Sequence, residues 1–352
     1  MTTDVTTREL IDKLLNNIPA LMEKHNVPGL SLALVRDAAI LGSYAFGVRS
    51  NISHEPVTED TVFEAASLSK PVFAYTALKL CESGILDLDT PLTEYLPDPY
   101  LPDEPRLKLL TMRHVLSHTT GFPNWRPEGE SLTMYFSPGE RFSYSGEGYM
   151  YLQAVIAHVT GQEPAEYVRS KLLKPLGMEQ SRFVWNGQDG LPIAIGHNEV
   201  GEATEKYLCQ EMNAAASLHC TPRDYGNFLC VVMRPSSDNA SHLSWQTTKE
   251  MLTAQVQVND SSPWDDDWPK PKIKVNILVG WGLGWGIQSA SSGDSIWHWG
   301  NNGNYRAFTI GYPADGHGIA IMTNGKNGQK VINHILYETI GGDYPALDWL
   351  FG

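Results

Sequence analysis

Cysteine is scarce: four residues in 352, at positions 81, 209, 220 and 230, with no Cys-x-x-Cys pair. That excludes a disulfide-stapled scaffold and the usual thiolate zinc sites, and leaves reduced, mostly buried thiols as the reading. Positive charge is also in deficit, with 26 Lys and Arg against 40 Asp and Glu and a net charge of −14. Such a surface repels phosphate backbones and anionic lipid, so neither nucleic acid nor a membrane face is expected as partner. No apolar run approaches the roughly 18 residues of a membrane span. The opening Met1-Thr2-Thr3-Asp4 has no basic stretch leading into an apolar one, so the sequence as given reads as cytoplasmic. Charged residues make up only 19% of the chain against 42% hydrophobic, enough to bury one large core or two modest ones.

Several catalytic signatures are missing. There is no Gly-x-Ser-x-Gly, so the nucleophile elbow of α/β-hydrolases is absent. No phosphate-cradling Gly-rich loop of either common type occurs. His114 and His118 lie four apart, but Val115 stands where a zinc protease needs glutamate. With no third ligand apparent, neither a metal nor a cofactor is expected.

The hydrophobic pattern divides the chain. Leu10, Ile11, Leu14, Leu15, Ile18, Leu21 and Met22 form one helical stripe, with Thr6 and Glu9 at capping-box spacing and Val27-Pro28-Gly29 as the stop. Leu30 to Val35 and Ile40 to Val48 predict a β-hairpin that turns at Asp37. A helix is predicted from Ser67 to about Glu82, ended by Gly84. From 85 to 215, Pro-rich loops alternate with helical patterns, clearest at Tyr149 to Val159 and Ala165 to Leu173. Strands return at Leu283 to Gln288, Ser295 to Trp299, Tyr305 to Tyr312 and Gly318 to Met322, before a helix at about Gln329 to Thr339. Ser261 to Lys274, with Trp264, Asp265, Asp266, Asp267 and Trp268, reads as an exposed loop. The expected class is α+β: an antiparallel sheet built from both ends of the chain and flanked by helices, with a mainly helical insertion. The corresponding division is a discontinuous sheet domain, 1–84 and 216–352, around an inserted domain, 85–215.

What remains for chemistry is Ser67-Leu68-Ser69-Lys70. Residues three apart share a helix face, which sets a lysine amine beside the Ser67 hydroxyl. A serine needs a neighbour to take its proton, and a lysine can do so once burial lowers its pKa. The motif alone carries little weight, because 25 serines and 14 lysines predict about one chance occurrence, and it occurs once.

Its company is more specific. Tyr144-Ser145-Gly146 follows, then His298-Trp299-Gly300 at a predicted strand end. Gly84 to Asp89, Tyr95-Leu96-Pro97, Val115 to Gly121, Ala214 to Asp224, Gly282 to Gly286 and Asn324 add further matches. In this order they resemble the serine β-lactamase and DD-peptidase superfamily, most closely class C β-lactamases and the carboxylesterases that share their fold. The resemblance runs from about residue 20 to 340. It implies Ser67 as acylated nucleophile, Lys70 as its proton partner, and Tyr144 in the acid–base network, as a phenolate or through Lys70. It implies an oxyanion hole from the amides of Ser67 and Asn301, with His298, Trp299 and Gly300 lining the substrate site. His118 is read as a structural hydrogen-bonding residue beside the site.

Two departures bear on substrate. Gly146 stands where many members carry an asparagine, and His298-Trp299 replaces Lys-Thr or Lys-Ser. Both changes weaken recognition of an anionic lactam and leave acyl chemistry intact. The expectation is a serine hydrolase forming an acyl-enzyme on Ser67, a carboxylesterase on small esters. The alternatives are a β-lactamase or D-amino-acid peptidase of the same fold, or a non-catalytic ligand-binding or assembly protein. The implied partner is a small-molecule ester or amide; the sequence does not fix the oligomeric state.

Overall fold

In the computed structural model, which describes residues 2–187, 190–236, 238–259 and 275–352, the two ends of the chain build one sheet. Helix α1 (Thr2–Lys24) leads into strands β1 (Gly29–Arg36) and β2 (Ala39–Gly47). Asp37 and Ala38 turn that hairpin with φ of 54° and 51°, the positive pair that a tight two-residue turn requires. Strand β3 (Phe63–Ala66) then runs to helix α2 (Ser69–Glu82), and far downstream β4 (Leu218–Cys220) pairs antiparallel with β3. The remaining strands are β5 (Val256–Asn259), β6 (Val275–Trp281), β7 (Gly286–Ala290), β8 (Gly293–Asn302), β9 (Tyr305–Tyr312) and β10 (His317–Thr323). Among the described residues eight strands form one sheet in the order β2-β1-β10-β9-β8-β7-β6-β5, every neighbouring pair antiparallel. The antiparallel sheet assembled from both termini is therefore as the sequence implied.

The sheet is covered on both faces, which explains why β1 is buried without a break from Gly29 to Val35, Ser31 included, rather than at alternate residues. Leu30, Leu32 and Leu34 join the core of Leu14, Ile18 and Met22 from α1 and of Val331, Ile332 and Leu347 near the C-terminus. The opposite face meets a helix at Pro222–Met233, where Gly226 lets Ala33 and Ile40 approach; a Cβ there would stand 2.7 Å from Ile40 Cδ1.

Some boundaries differ from expectation. The first helix begins at Thr2, so Thr6 and Glu9 lie inside it rather than at its cap. The strand expected from Leu283 starts at Gly286, because Leu283 N bonds to Met251 O and Gly284 turns at φ 89°. Between α2 and β4 the described chain is richer in loop than a mainly helical insertion implies. Its longest helix is Gly146–Thr160, ended by Gly161 at φ 63°, and prolines interrupt most of the rest. The expected loop at 261–274, with Trp264, Asp265, Asp266, Asp267 and Trp268, lies outside the described residues.

Candidate active site

Ser67 stands at the junction between β3 and α2, two residues before the first helical residue. Ala66 just before it has φ 51°, a left-handed conformation that is costly for any residue with a Cβ, of order 1–3 kcal/mol. The kink is held from both sides. Ser69, fully buried, donates from Oγ to Ala66 O over 2.5 Å and accepts from Leu218 N over 2.8 Å. Leu68 N closes on Ala65 O, and Lys70 N on Ser67 O. The strain thus presents a half-buried Ser67 hydroxyl at a fixed position.

Lys70 points to the same place from the first turn of α2. Its Nζ lies 3.2 Å from Ser67 Oγ and donates to Ala215 O over 2.9 Å. The side chain is wholly buried, and burial alone holds its pKa well below the usual lysine range. No carboxylate pairs with it among the described residues; its other neighbours are the faces of Tyr144 and Tyr149, 4.6 and 5.7 Å from Nζ. A lysine in this setting reaches its neutral form far below pH 10, and neutral NH2 has one lone pair to receive a proton.

Tyr144 arrives on the loop before the 146–160 helix and is 6% exposed. Its hydroxyl oxygen is sealed from solvent beside the Ser67 hydroxyl. Burial raises its pKa, with the Ser67 hydroxyl as the opposing influence. Tyr144 is therefore a phenol rather than a standing phenolate, which narrows the two roles left open by the sequence. His118 lies against its ring, tilted by 33° at 4.3 Å between centroids, and accepts from Ser145 N at Nδ1 over 3.0 Å. His118 braces the loop that carries Tyr144, and its burial, the largest influence, keeps it uncharged.

The His298-Trp299-Gly300 strand is buried at all three residues. His298 is completely buried, with Nδ1 2.8 Å from Trp299 O, and burial pulls its pKa to about 3. It is a neutral neighbour of Lys70 and Tyr144. Trp299, 2% exposed, packs against Trp297 and Tyr144 in the core. At Gly300 a Cβ would come within 2.2 Å of Ala65 O, so the glycine is demanded by the close approach of β3 to β8. Asn301, on β8 opposite Arg306, is half-buried one residue beyond that contact.

Two features had no signal in the sequence. The carbonyl that holds Lys70 comes from Ala215, and backbone acceptors leave no mark in residue type. Trp125, 43% exposed, lies over Gly146, where a Cβ would meet its Cη2 at 2.5 Å. The absent side chain at 146 and the indole are one feature. Asn124 O accepts from Gly146 N and Glu147 N, and Arg126 forks onto the buried Glu147 carboxylate over 2.7 and 2.8 Å, fixing Trp125 between them. A cavity of about 1130 Å³ is lined by Glu64, Lys206, Ser217 and, next in sequence to Ala215 and Asn301, by Ala216 and Asn302. Among the described residues no group of His, Cys, Asp or Glu is arranged to hold a metal, and no helix is long and apolar enough to cross a membrane.

The family model described as Beta-lactamase matches residues 14–338. Penicillin-binding protein 4* of Bacillus subtilis strain 168 is 32% identical over 201 residues, covering 51% of this chain and 42% of that protein. The chain thus matches less than half the length of that relative. The octameric penicillin-binding protein homologue from Pyrococcus abyssi superposes with a TM-score of 0.78 at 24% identity, covering 95% of this chain and 78% of that one. A class C beta-lactamase superposes with a TM-score of 0.77 at 20% identity, covering 94% and 96%. With a family match over most of its length, the chain belongs to the Beta-lactamase family.

Proposed function

We propose that the protein is a carboxylesterase that acts on small, uncharged esters through an acyl-enzyme on Ser67. In this reading neutral Lys70 takes the Ser67 proton as Oγ bonds to the ester carbonyl carbon, and the amides of Ser67 and Asn301 hold the oxyanion. The ester C–O bond then breaks, and Tyr144 hands a proton to the leaving oxygen and regains one from Lys70. Water, activated by the same groups, releases the acid.

The observation that supports the ester over the lactam is His298. A buried, uncharged imidazole stands where a lysine ammonium would meet a substrate carboxylate. Lys206 on the cavity wall offers no substitute, since it is paired with Glu64. An anionic substrate would lose its solvation here without gaining a counter-charge. A panel of p-nitrophenyl esters, nitrocefin and D-Ala-D-Ala peptides tests the reading. Short esters should show the highest kcat/KM; a higher value for nitrocefin or a peptide than for every ester overturns it.

A further inference from the structure

The proposed oxyanion hole draws its two amides from elements that share no strand ladder. Ser67 follows β3 of the small sheet, whereas Asn301 belongs to β8 of the large one. Their separation is a distance across an interface, and something other than backbone pairing must fix it. Gly300 against Ala65 O sets how near the strands can come. Attraction across the gap comes from side chains.

Asn302 supplies it. Its Nδ2 donates to Glu64 Oε2 over 3.2 Å and to Ala216 O over 3.1 Å. Glu64 lies on β3 three residues before Ser67; Asn302 directly follows Asn301; Ala216 adjoins the Ala215 carbonyl that holds Lys70. One carboxamide, on the segment of the second amide, therefore bonds to the two segments that carry Ser67 and the Lys70 acceptor. The other Glu64 oxygen is held by Lys206, whose ammonium also donates to His219 Nε2 over 3.1 Å. His219, paired with Glu64 across β3 and β4, has Nδ1 2.9 Å from Ser217 O, which leaves Nε2 as the acceptor. The Lys206 side chain is 6% exposed and faces the rings of Tyr305 and Trp185 at 4.9 and 5.4 Å. Each member has a partner, so the group is built to hold geometry rather than to move a proton.

We infer that Glu64 and Asn302, with Lys206 as counter-charge, are positioning residues that set the width of the oxyanion hole and the seat of Lys70. The inference rests on the reading of Ser67 and Asn301 given above. It assigns the network no contact with the reacting atoms.

The test is single-turnover acylation by a p-nitrophenyl ester, with the burst amplitude counting active sites and a boronic acid reporting affinity for the tetrahedral state. Asn302→Ala should lower the acylation rate constant per active site by about 10- to 100-fold, the scale of a misplaced oxyanion donor. Boronate affinity should fall in parallel, with little change in the dissociation constant for substrate. Asn302→Asp should do worse, because it sets a carboxylate against Glu64, and Glu64→Gln in the same chain should recover part of the loss. Lys206→Met should act in the same direction as Asn302→Ala.

A loss confined to burst amplitude or thermal stability, with a normal rate constant per remaining site, overturns the inference. So does an Asn302→Asp defect that Glu64→Gln leaves unmoved. If wild-type protein gives no burst and fluorophosphonate does not label Ser67, the functional reading itself fails, an outcome separate from either of these.

Discussion

Lys70 and Ala215 meet at the floor of the site, where Nζ gives a hydrogen to the carbonyl over 2.9 Å. That bond and the 3.2 Å approach to Ser67 Oγ give the nitrogen two hydrogen-bonding neighbours, whereas an ammonium carries three N–H groups. Burial without a carboxylate therefore favours the amine. Since the lysine pKa is lowered, its base form fills as pH rises through that lowered value. Acylation should climb on the acid side and level off well below pH 10. Lys70→Arg keeps the charge but cannot release its proton, and should abolish the climb together with most of the rate. Tyr144→Phe should be slow with an unshifted acid limb, because the phenol carries no charge to withdraw. Single-turnover acylation of a p-nitrophenyl ester against pH measures all three; near wild-type rates in both variants would sink the mechanism.

Ser67→Ala removes the nucleophile and none of the contacts that hold its turn, which run through Ser69 and the backbone. Turnover should fall by at least roughly 10³-fold with an unchanged melting temperature. A folded variant retaining more than a tenth of the activity would place the chemistry elsewhere.

His298 gives a second pH prediction. With a pKa near 3 it contributes no inflection between pH 5 and 8. His298→Gln should leave the apparent pKa of acylation where it is, since no charge beside Lys70 is removed. Had the imidazole been protonated near neutrality, its removal would raise the Lys70 pKa and move the acid limb upward. The pH profiles of the two proteins decide between these.

Which parts of this site were legible in the sequence follows from how each is encoded. The Ser67, Lys70 and Tyr144 cluster showed because side-chain identity and order carry it. The hairpin showed because Asp37 interrupts two apolar runs. The depth of His298 was not legible, because residue type alone does not say which side of a strand is sealed: Trp297, Trp299 and Trp281 close the core around it. Gly300 was legible as a glycine with a purpose but not as a contact with Ala65 O. The Ala215 acceptor and the Asn302 bridge depend on segments 145 and 238 residues away from their partners, beyond any local pattern.

Trp125 and Gly146 predict a paired substitution effect. Gly146→Asn alone drives a side chain into the indole, whose nearest atom would be 2.5 Å from the new Cβ, and should lower both stability and rate. Removing the ring by Trp125→Ala in the same chain should recover much of that loss and restore an amide at 146. The double variant should then hydrolyse nitrocefin better, relative to short esters, than the wild type does. Additive losses in melting temperature and rate would show that the two positions act separately.

Gly300→Ala provides the contrast, because its obstacle is backbone. The Cβ would stand 2.2 Å from Ala65 O and 3.2 Å from Ala307 Cβ, and neither can swing aside as a surface indole can. Forced overlap of this kind costs typically 1–3 kcal/mol, sometimes more. The strands must part to relieve it, and the movement falls between Ala65, two residues before Ser67, and Gly300, one before Asn301. Widening there separates the two amides proposed for the oxyanion. Gly300→Ala should therefore lower the melting temperature and, in the protein that remains folded, slow acylation by about 10- to 100-fold with little effect on substrate binding. Gly148→Ala is the control: its Cβ would meet Thr120 Cγ2 at 3.0 Å, on a helix away from both amides. It should cost stability without slowing acylation per active site. Thermal denaturation read beside single-turnover rates separates the two, and a Gly300→Ala protein acylating at the wild-type rate would show that the β3–β8 spacing does not set the hole.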